Sequence, residues 1–146
     1  MPARQDAEVR AGGCLCGAAR YSVRGPLRAV LVCHGGQCRR WHGHLGAYTS
    51  AACAGVVFEE CETLRWFATS ARGGRGFSTC GSSLFFEPAD EARLAIAAGS
   101  LDQPSGLTLV SHEFVADKAD YVLINDGLPA FPRDFEAVGR EEATHC

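Results

Sequence analysis

The sequence predicts a single compact domain built mainly from short antiparallel β-strands. A chain of 146 residues is long enough for one domain with its own core. Short runs rich in β-branched and aromatic residues recur along it, separated by glycine, proline and asparagine turns. Closely spaced cysteines beside glycines suggest that metal ions staple the strands together. Helix is expected only as single turns.

The strands are expected in the following order. Residues 18–23 alternate apolar and polar side chains until Gly25-Pro26 ends the run. A buried strand over 27–33 leads into a Gly-Gly turn, and residues 37–42 are expected to form one helical turn. Further strands are predicted over 45–52, 56–59, 64–69, 94–98 and 112–115, with a turn followed by a strand in 77–87.

The remaining segments are predicted to be irregular. Residues 71–76, rich in glycine and arginine, are expected to form a loop. Residues 1–11 are predicted to be a flexible leader and residues 136–146 a flexible tail. The folded domain is therefore predicted to span residues 12–135.

The overall composition excludes several classes of protein. The net charge of −3 gives no electrostatic reason to bind nucleic acid or an anionic membrane. No apolar run approaches the roughly 20 residues of a membrane-spanning helix, and residues 1–13 lack the apolar segment of a secretory signal. We therefore expect a cytoplasmic protein, where close-set cysteines are more often metal ligands or catalytic groups than disulfides.

The first cysteine pair lies in Gly13-Cys14-Leu15-Cys16-Gly17. Two thiolates separated by one residue can bind the same ion only if the backbone turns tightly, which the glycines permit. Zinc takes four ligands, so others must come from elsewhere, and Cys80-Gly81 is the natural partner. The alternative is that Cys14, Cys16 and Cys80 are free buried thiols.

The second pair consists of Cys33 and Cys38, followed at once by Arg39 and Arg40. A nearby cation lowers the pKa of a thiol and favours the thiolate that binds a metal or attacks an electrophile. From the residues alone, the alternative that Cys33 and Cys38 are core thiols beside a solvated basic turn is nearly as well supported as a metal-binding or catalytic role.

With these elements in place, the chain resembles the glutathione-dependent formaldehyde-activating enzyme family, which includes the domain of centromere protein V. The resemblance covers about residues 12–131 and rests on the order and spacing of five blocks. These are Gly13-Cys14-Leu15-Cys16-Gly17, Cys33-His34 to Cys38-Arg39-Arg40, Gly76-Phe77 to Cys80-Gly81-Ser82-Ser83-Leu84, His112-Glu113-Phe114-Val115 with Asp117 to Tyr121, and Asn125-Asp126-Gly127-Leu128-Pro129.

The resemblance implies a β-rich fold like that of a Rab-interacting exchange accessory factor. It implies a structural zinc held by the Cys-x-Cys and a later Phe-Cys-x-x-Cys-Gly, and a catalytic zinc held by three cysteines in Cys-His-Cys-x-x-Cys. The implied activity is that of a carbon–sulfur lyase joining formaldehyde to glutathione as S-hydroxymethylglutathione.

This sequence departs from the family pattern at both sites. Gly35 stands where the middle cysteine of Cys-His-Cys is expected, and Phe77-Ser78-Thr79-Cys80-Gly81 lacks one cysteine of the second motif. The missing structural ligand could be replaced by water, a histidine, Cys53 or Cys61. At the catalytic site, His34 would have to turn inward to become a third ligand.

Three functions follow from these residues. The first is a zinc-dependent lyase acting on a glutathione-like thiol and a small aldehyde, with Cys33 and Cys38 at the reaction centre and Arg39 neutralising substrate charge. The second is a zinc-stabilised binding or structural domain that has lost its chemistry. The third is a redox protein in which Cys33 and Cys38 form a reversible disulfide.

Overall fold

The computed structural model describes residues 8–71, 73–89 and 91–134. Strand accounts for 46% of the structure and helix for 13%, which confirms the prediction of a mainly β protein. Within the described residues, a short α-helix, α1, covers Gly36–His42, and 3₁₀ turns cover Cys53–Gly55, Ala98–Ser100 and Val115–Asp117. The ten strands are β1 Val9–Gly13, β2 Arg20–Arg24, β3 Val30–Cys33, β4 Gly46–Ala52, β5 Val56–Glu60, β6 Leu64–Ser70, β7 Gly73–Ser78, β8 Ser83–Pro88, β9 Arg93–Ala97 and β10 Leu109–Glu113.

The strands form two sheets. A small antiparallel sheet has the order β1-β2-β5, and a seven-stranded sheet has the order β10-β3-β4-β9-β8-β7-β6. Neighbours in the large sheet are antiparallel except β10 and β3, which run parallel. That parallel pair departs from the expected antiparallel arrangement, and it places the end of β10 beside Cys33, with Glu113 opposite it in register.

The hydrophobic core lies between the two sheets. Tyr21 of β2 packs edge-on against Phe85 of β8, with ring centroids 5.0 Å apart. The cluster also contains Cys14, which is 9% exposed, and seven residues that are almost completely excluded from water: Ala19, Val23, Ala51, Leu84, Leu94, Ile96 and Leu101. Burying the larger of these side chains contributes about 1.5–3 kcal/mol each.

Helix α1 connects β3 to β4 within a few residues. Gly35 precedes it with extended backbone angles, and Gly43 ends it in the left-handed conformation while donating its N–H to the carbonyl of Arg39. A side chain at Gly46 would collide with the ring of His42, so glycine is needed where the helix folds back onto β4. Cys38 is the buried residue of this helix.

Two segments differ from the sequence prediction. The first strand, β1, begins at Val9, inside the stretch assigned to a leader, because it pairs with β2 along its full length. Residues 71–76 were predicted to be a loop, and this is wrong: β7 pairs with β6 and β8 on either side. The predicted tail over 136–146 lies outside the described residues.

Candidate metal site and thiol groove

The sulfur atoms of Cys14, Cys16 and Cys80 converge at one end of the small sheet. All three lie within 4.8 Å of one another, and the sulfurs of Cys14 and Cys16 are 3.5 Å apart. With a zinc–sulfur bond of about 2.3 Å, tetrahedral ligands stand about 3.8 Å apart. The predicted partnership of Cys80 with the Cys-x-Cys pair is therefore present in a form that could hold a metal ion.

Two glycine turns bring these cysteines together. Cys14 follows β1, and the turn closes through a bond from the Gly17 N–H to the Cys14 carbonyl and one from the Cys14 N–H to the Ala19 carbonyl. Gly17 and Gly81 both have positive φ angles, of 80° and 98°, which side-chain-bearing residues rarely adopt. Ser82 joins the two turns because its hydroxyl oxygen accepts the N–H of Leu15 at 2.9 Å.

The surroundings of these sulfurs favour negative charge on two of them. Hydrogen bonds from the Ser82 hydroxyl and from backbone N–H groups of Cys16 and Ser82 lower the pKa of Cys80 to about 5. Burial raises the pKa of Cys14, but hydrogen bonds from Ser78 and the Ala19 N–H outweigh it, and the net shift is downward. Polarised thiolates of this kind are the form that binds metal.

A buried hydroxyl lies beside the three thiols. Ser78 is completely buried, and a hydrogen bond from its hydroxyl lowers the pKa of both Cys14 and Cys80. Among the described residues, no other cysteine, histidine or carboxylate joins the three thiols. Cys61 is exposed and Cys53 packs beside the hydrophobic core, so neither supplies the fourth ligand.

The second thiol pair lies in a large open groove. Cys33 ends β3 and Cys38 lies in the first turn of α1, and both line a groove of about 1110 Å³. A hydrogen bond from Cys33, together with the charge of Arg75, lowers the pKa of Cys38 to about 6 although burial opposes the shift. The same bond, and burial, raise the pKa of Cys33.

A buried arginine compensates the negative charge of Cys38. Arg75 is only 3% exposed and donates to the Cys38 sulfur at 3.3 Å, to the Tyr48 hydroxyl at 2.8 Å and to the Gln37 side-chain carbonyl at 3.0 Å. Its guanidinium also lies 4.8 Å from the centroid of the Phe86 ring. Within the described residues no carboxylate forms an ion pair with it. Cys38 and Arg75 therefore form the charged pair of this groove.

Gly35 leaves space beside Cys33. A Cβ atom at this position would lie 3.4 Å from the Cys33 sulfur and 3.6 Å from Phe114, which are ordinary or nearly ordinary contacts. The φ angle of −60° is one that any residue can adopt. A third thiol would fit here, but in this chain the described residues bring no third cysteine, histidine or carboxylate into a group with Cys33 and Cys38.

The histidine and arginine next to these cysteines point elsewhere. His34 is 3% exposed and its Nε2 hydrogen bonds to Nδ1 of His112 at 2.8 Å, while His112 Nε2 bonds to the Asp126 carboxylate at 2.7 Å. Arg39 is exposed and lines a small cleft with His34 and His44 rather than the groove. The sequence therefore located the two thiols, but their charged neighbour in space is Arg75.

The profile of the glutathione-dependent formaldehyde-activating enzyme family matches residues 9–117, three quarters of the chain. The chain belongs to this family. No curated protein matches the sequence. The family assignment supports a glutathione-related, formaldehyde-activating or lyase-like role. In the described residues, no helix combines the length and the apolarity needed to span a membrane.

Sequence reasoning missed several residues that shape the groove. Arg75 falls in the stretch assigned to a loop, and arginine is rarely buried, so nothing in the local pattern marks it. Tyr48 was assigned only to a strand. The groove is lined by carboxylate-bearing residues and by three arginines, Arg28, Arg75 and Arg93. The one sequence feature that pointed weakly to such a lining is that arginine supplies nearly all the cationic charge of the chain.

Proposed function

We propose that this protein forms or cleaves a carbon–sulfur bond between a glutathione-like thiol and a small aldehyde in the groove beside Cys33 and Cys38. The observation that carries the proposal is the contact between the Cys38 sulfur and the buried Arg75 guanidinium in an open groove. An enzyme that forms or cleaves carbon–sulfur bonds needs a stabilised thiolate beside a cavity that can hold the substrate. Family membership supports the same chemistry.

We also propose that zinc is held structurally by Cys14, Cys16 and Cys80. A second zinc, at Cys33 and Cys38, fits the residues less well. Two thiols are fewer than the three protein ligands of ordinary catalytic zinc sites, and Arg75 already donates to Cys38. The proposed reaction therefore uses protein side chains and needs no second zinc.

In this reaction Cys38 acts as the proton acceptor. Its thiolate takes the proton of the substrate thiol, and the substrate sulfur uses the freed electron pair to bond to the aldehyde carbon. The carbonyl π electrons move to oxygen, which takes the proton back from Cys38. The product is a hydroxyalkyl thioether, and Cys38 returns to its starting state. Arg75 stabilises whichever sulfur carries the negative charge.

The groove suits a substrate with charges of both signs. Arg28 and Arg93 line it, and each uses part of its guanidinium to hold a backbone carbonyl of β4, that of Tyr48 or of Ser50. Glu91 and Asp117 line it as well. A peptide-like thiol with carboxylate and ammonium groups matches such a lining.

Formaldehyde exchange between water and glutathione, followed by magnetisation-transfer NMR, tests the proposal. Catalysed exchange is expected for the native protein and should fall by roughly 10²-fold or more in Cys38→Ser, as for loss of a general base. Cys61→Ser, which changes an exposed thiol outside both sites, is the matched control. Exchange that is unaffected by Cys38→Ser would contradict the proposal. Zinc content near one per chain is expected, and two per chain would favour a metal at Cys33 and Cys38.

The hydrogen bond between Cys33 and Cys38 favours one second candidate, a reversible disulfide. The Cys38 thiolate would attack a small disulfide, releasing one thiolate, and Cys33 would then displace the second to leave an intramolecular bond. Oxidised glutathione should remove two hydrogens from the chain without leaving an adduct. In Cys33→Ser, mass spectrometry should instead detect a persistent mixed disulfide on Cys38, and its absence would exclude this candidate.

A further inference from the structure

Two arginines of the groove are anchored side by side on β4. An amino group of Arg28 donates to the Tyr48 carbonyl at 3.2 Å, and an amino group of Arg93 donates to the Ser50 carbonyl at 3.0 Å. The Ser50 carbonyl also accepts the backbone N–H of Arg28 at 3.0 Å, and the Ser50 hydroxyl accepts Nε–H of Arg93 at 3.1 Å. These bonds hold both guanidinium groups against the same strand, and both residues line the groove.

Each of the two guanidinium groups keeps N–H donors for a further acceptor. The bonds of Arg93 to Ser50 use Nε and one amino group, and those of Arg28 to the Ala29 and Tyr48 carbonyls do the same. The second amino group of each arginine, with two N–H donors, takes no part in these bonds. Both side chains are exposed, and none of the ion pairs formed within the described residues involves either of them.

The spacing of the two arginines suits a carboxylate. Tyr48 and Ser50 are two residues apart on β4, so the carbonyls that anchor the guanidinium groups are about 7 Å apart. A carboxylate that accepts a hydrogen bond of about 2.9 Å on each oxygen joins two donors at a separation of this order. Two positive charges at such a distance repel each other, and an anion bound between them removes that repulsion.

Tyr48 connects this arginine pair to the reactive sulfur. Its carbonyl accepts from Arg28, while its hydroxyl accepts from Arg75, which also donates to the Cys38 sulfur. The length of one tyrosine side chain therefore separates the anchor of Arg28 from Arg75. A thiol whose sulfur reaches Cys38 can place on the arginine pair a carboxylate that lies several bonds away from that sulfur.

We propose that Arg28 and Arg93 bind the terminal carboxylate of the thiol substrate and so select thiols that carry one. The inference rests on the thiol substrate and the groove proposed above. It assigns the two arginines to the glycine end of glutathione, where the carboxylate stands alone. The other end carries an ammonium group beside its carboxylate, and two guanidinium groups repel that ammonium.

Binding of S-methylglutathione, which has no thiol and cannot react, tests the site without turnover. By isothermal titration calorimetry, wild type should bind it roughly tenfold more tightly than its glycine ethyl ester, which lacks the carboxylate charge. In Arg28→Gln and in Arg93→Gln this ratio should fall toward one, because a donor and its charge are lost. Lysine at either position keeps the charge without the fork of donors and should retain part of the ratio.

Arg65→Gln is the matched control. Arg65 is also an exposed arginine whose guanidinium holds backbone carbonyls, those of Glu62 and Leu64, but it does not line the groove. It should keep the wild-type ratio. Because each ratio compares two ligands on the same protein, a variant that merely loses part of its fold lowers both affinities together and leaves the ratio unchanged.

The same two ligand forms, with a free thiol, separate this inference from the proposed reaction in the formaldehyde-exchange assay. If glutathione and its glycine ester bind and exchange equally well, or if Arg28→Gln and Arg93→Gln leave the ratio unchanged, the role of the arginines is overturned while the reaction stands. If the ratio depends on both arginines but no thiol is turned over, the reaction is refuted and the carboxylate site stands. If wild type neither binds S-methylglutathione nor catalyses exchange, both are refuted.

Discussion

The two cysteine groups balance the charge of their thiolates in different ways. The sulfurs of Cys14, Cys16 and Cys80 lie within 4.8 Å of one another, and hydrogen-bond donors stabilise the thiolates of Cys14 and Cys80. Around Cys33 and Cys38, a buried guanidinium lies against the sulfur. The first arrangement leaves room for a metal ion as the compensating charge, whereas in the second an arginine already supplies it.

Exposure sharpens this contrast. Cys16 and Cys80 are exposed, so their thiol groups contribute little to packing, while Cys38 is 5% exposed and lies under the groove. The first group can stabilise the fold mainly through a bound ion. The second group can act on molecules that enter the groove, because Arg75 balances the negative charge of the Cys38 thiolate.

The largest expected effect concerns stability at the three-thiol group. Cys80 is exposed, so without a metal its replacement by alanine should change the free energy of unfolding only slightly. With a metal bound, Cys80→Ala should cost several kcal/mol, because metal binding adds directly to folding free energy. Urea unfolding with and without a strong chelator measures both values.

Cys61→Ala is the matched control, since Cys61 is also exposed and lies outside both groups. It should behave as wild type in either condition. If Cys80→Ala and Cys61→Ala lose the same small amount of stability in the metal-replete protein, the three thiols do not hold a stabilising ion.

The second prediction concerns a substitution that gives the Cys33–Cys38 pair a third thiol, as in the group of Cys14, Cys16 and Cys80. Gly35→Cys would place its Cβ 3.4 Å from the Cys33 sulfur without backbone strain, giving the groove a third thiol. We expect the zinc content to rise by about one ion per chain, as three cysteines and a water complete a catalytic-type zinc site. Elemental analysis of the purified protein measures the change.

The neighbouring glycine offers the control. A Cβ atom at Gly36 would meet no atom within 4 Å, so Gly36→Cys adds a thiol whose Cβ is farther from the Cys33 sulfur than that of Gly35→Cys. Its zinc content should equal that of wild type. A rise of the same size in both variants would mean that an added thiol, and not its position, attracts the metal.

The sequence predicted most strands and the convergence of the three thiols, because alternating β-branched residues and glycine-bounded cysteines are local signals. It could not predict β7. Glycine is poor in strands, yet a Cβ at Gly76 would lie 3.1 Å from the rings of Trp66 and Phe85, so a glycine is required by side chains from neighbouring strands. No local pattern contains that information.

Arg75 was missed for the same reason. Its partners Gln37, Cys38 and Tyr48 are 27 to 38 residues away in the chain, and only the pairing of β7 in the large sheet brings them together. Arg39 was selected because it is adjacent to Cys38 in sequence. On a helix, however, consecutive residues face different directions, and Arg39 lines a different cleft.

The smallest predicted effect is a loss of stability in acid that originates beside the groove. His42 Nε2 is bonded to the Tyr48 hydroxyl at 2.6 Å, and burial together with the nearby charge of Arg75 lowers the pKa of His42 to about 4. The unfolded chain binds this proton near pH 6.5 and the folded chain only near pH 4, so the unfolded state binds more protons between these values. Stability from His42 is therefore complete above pH 6.5 and is lost as the pH falls toward 4.

Because His42 is only partly shielded from water, we expect this loss to be about 1–2 kcal/mol. Urea unfolding at pH 7 and pH 4.5 should show a smaller difference in His42→Gln than in wild type, since glutamine keeps a hydrogen-bond acceptor for Tyr48 but does not titrate. His44→Gln alters an exposed histidine and should retain the wild-type difference. An unchanged pH dependence in His42→Gln would show that burial and the charge of Arg75 do not lower the pKa of His42 in the folded protein.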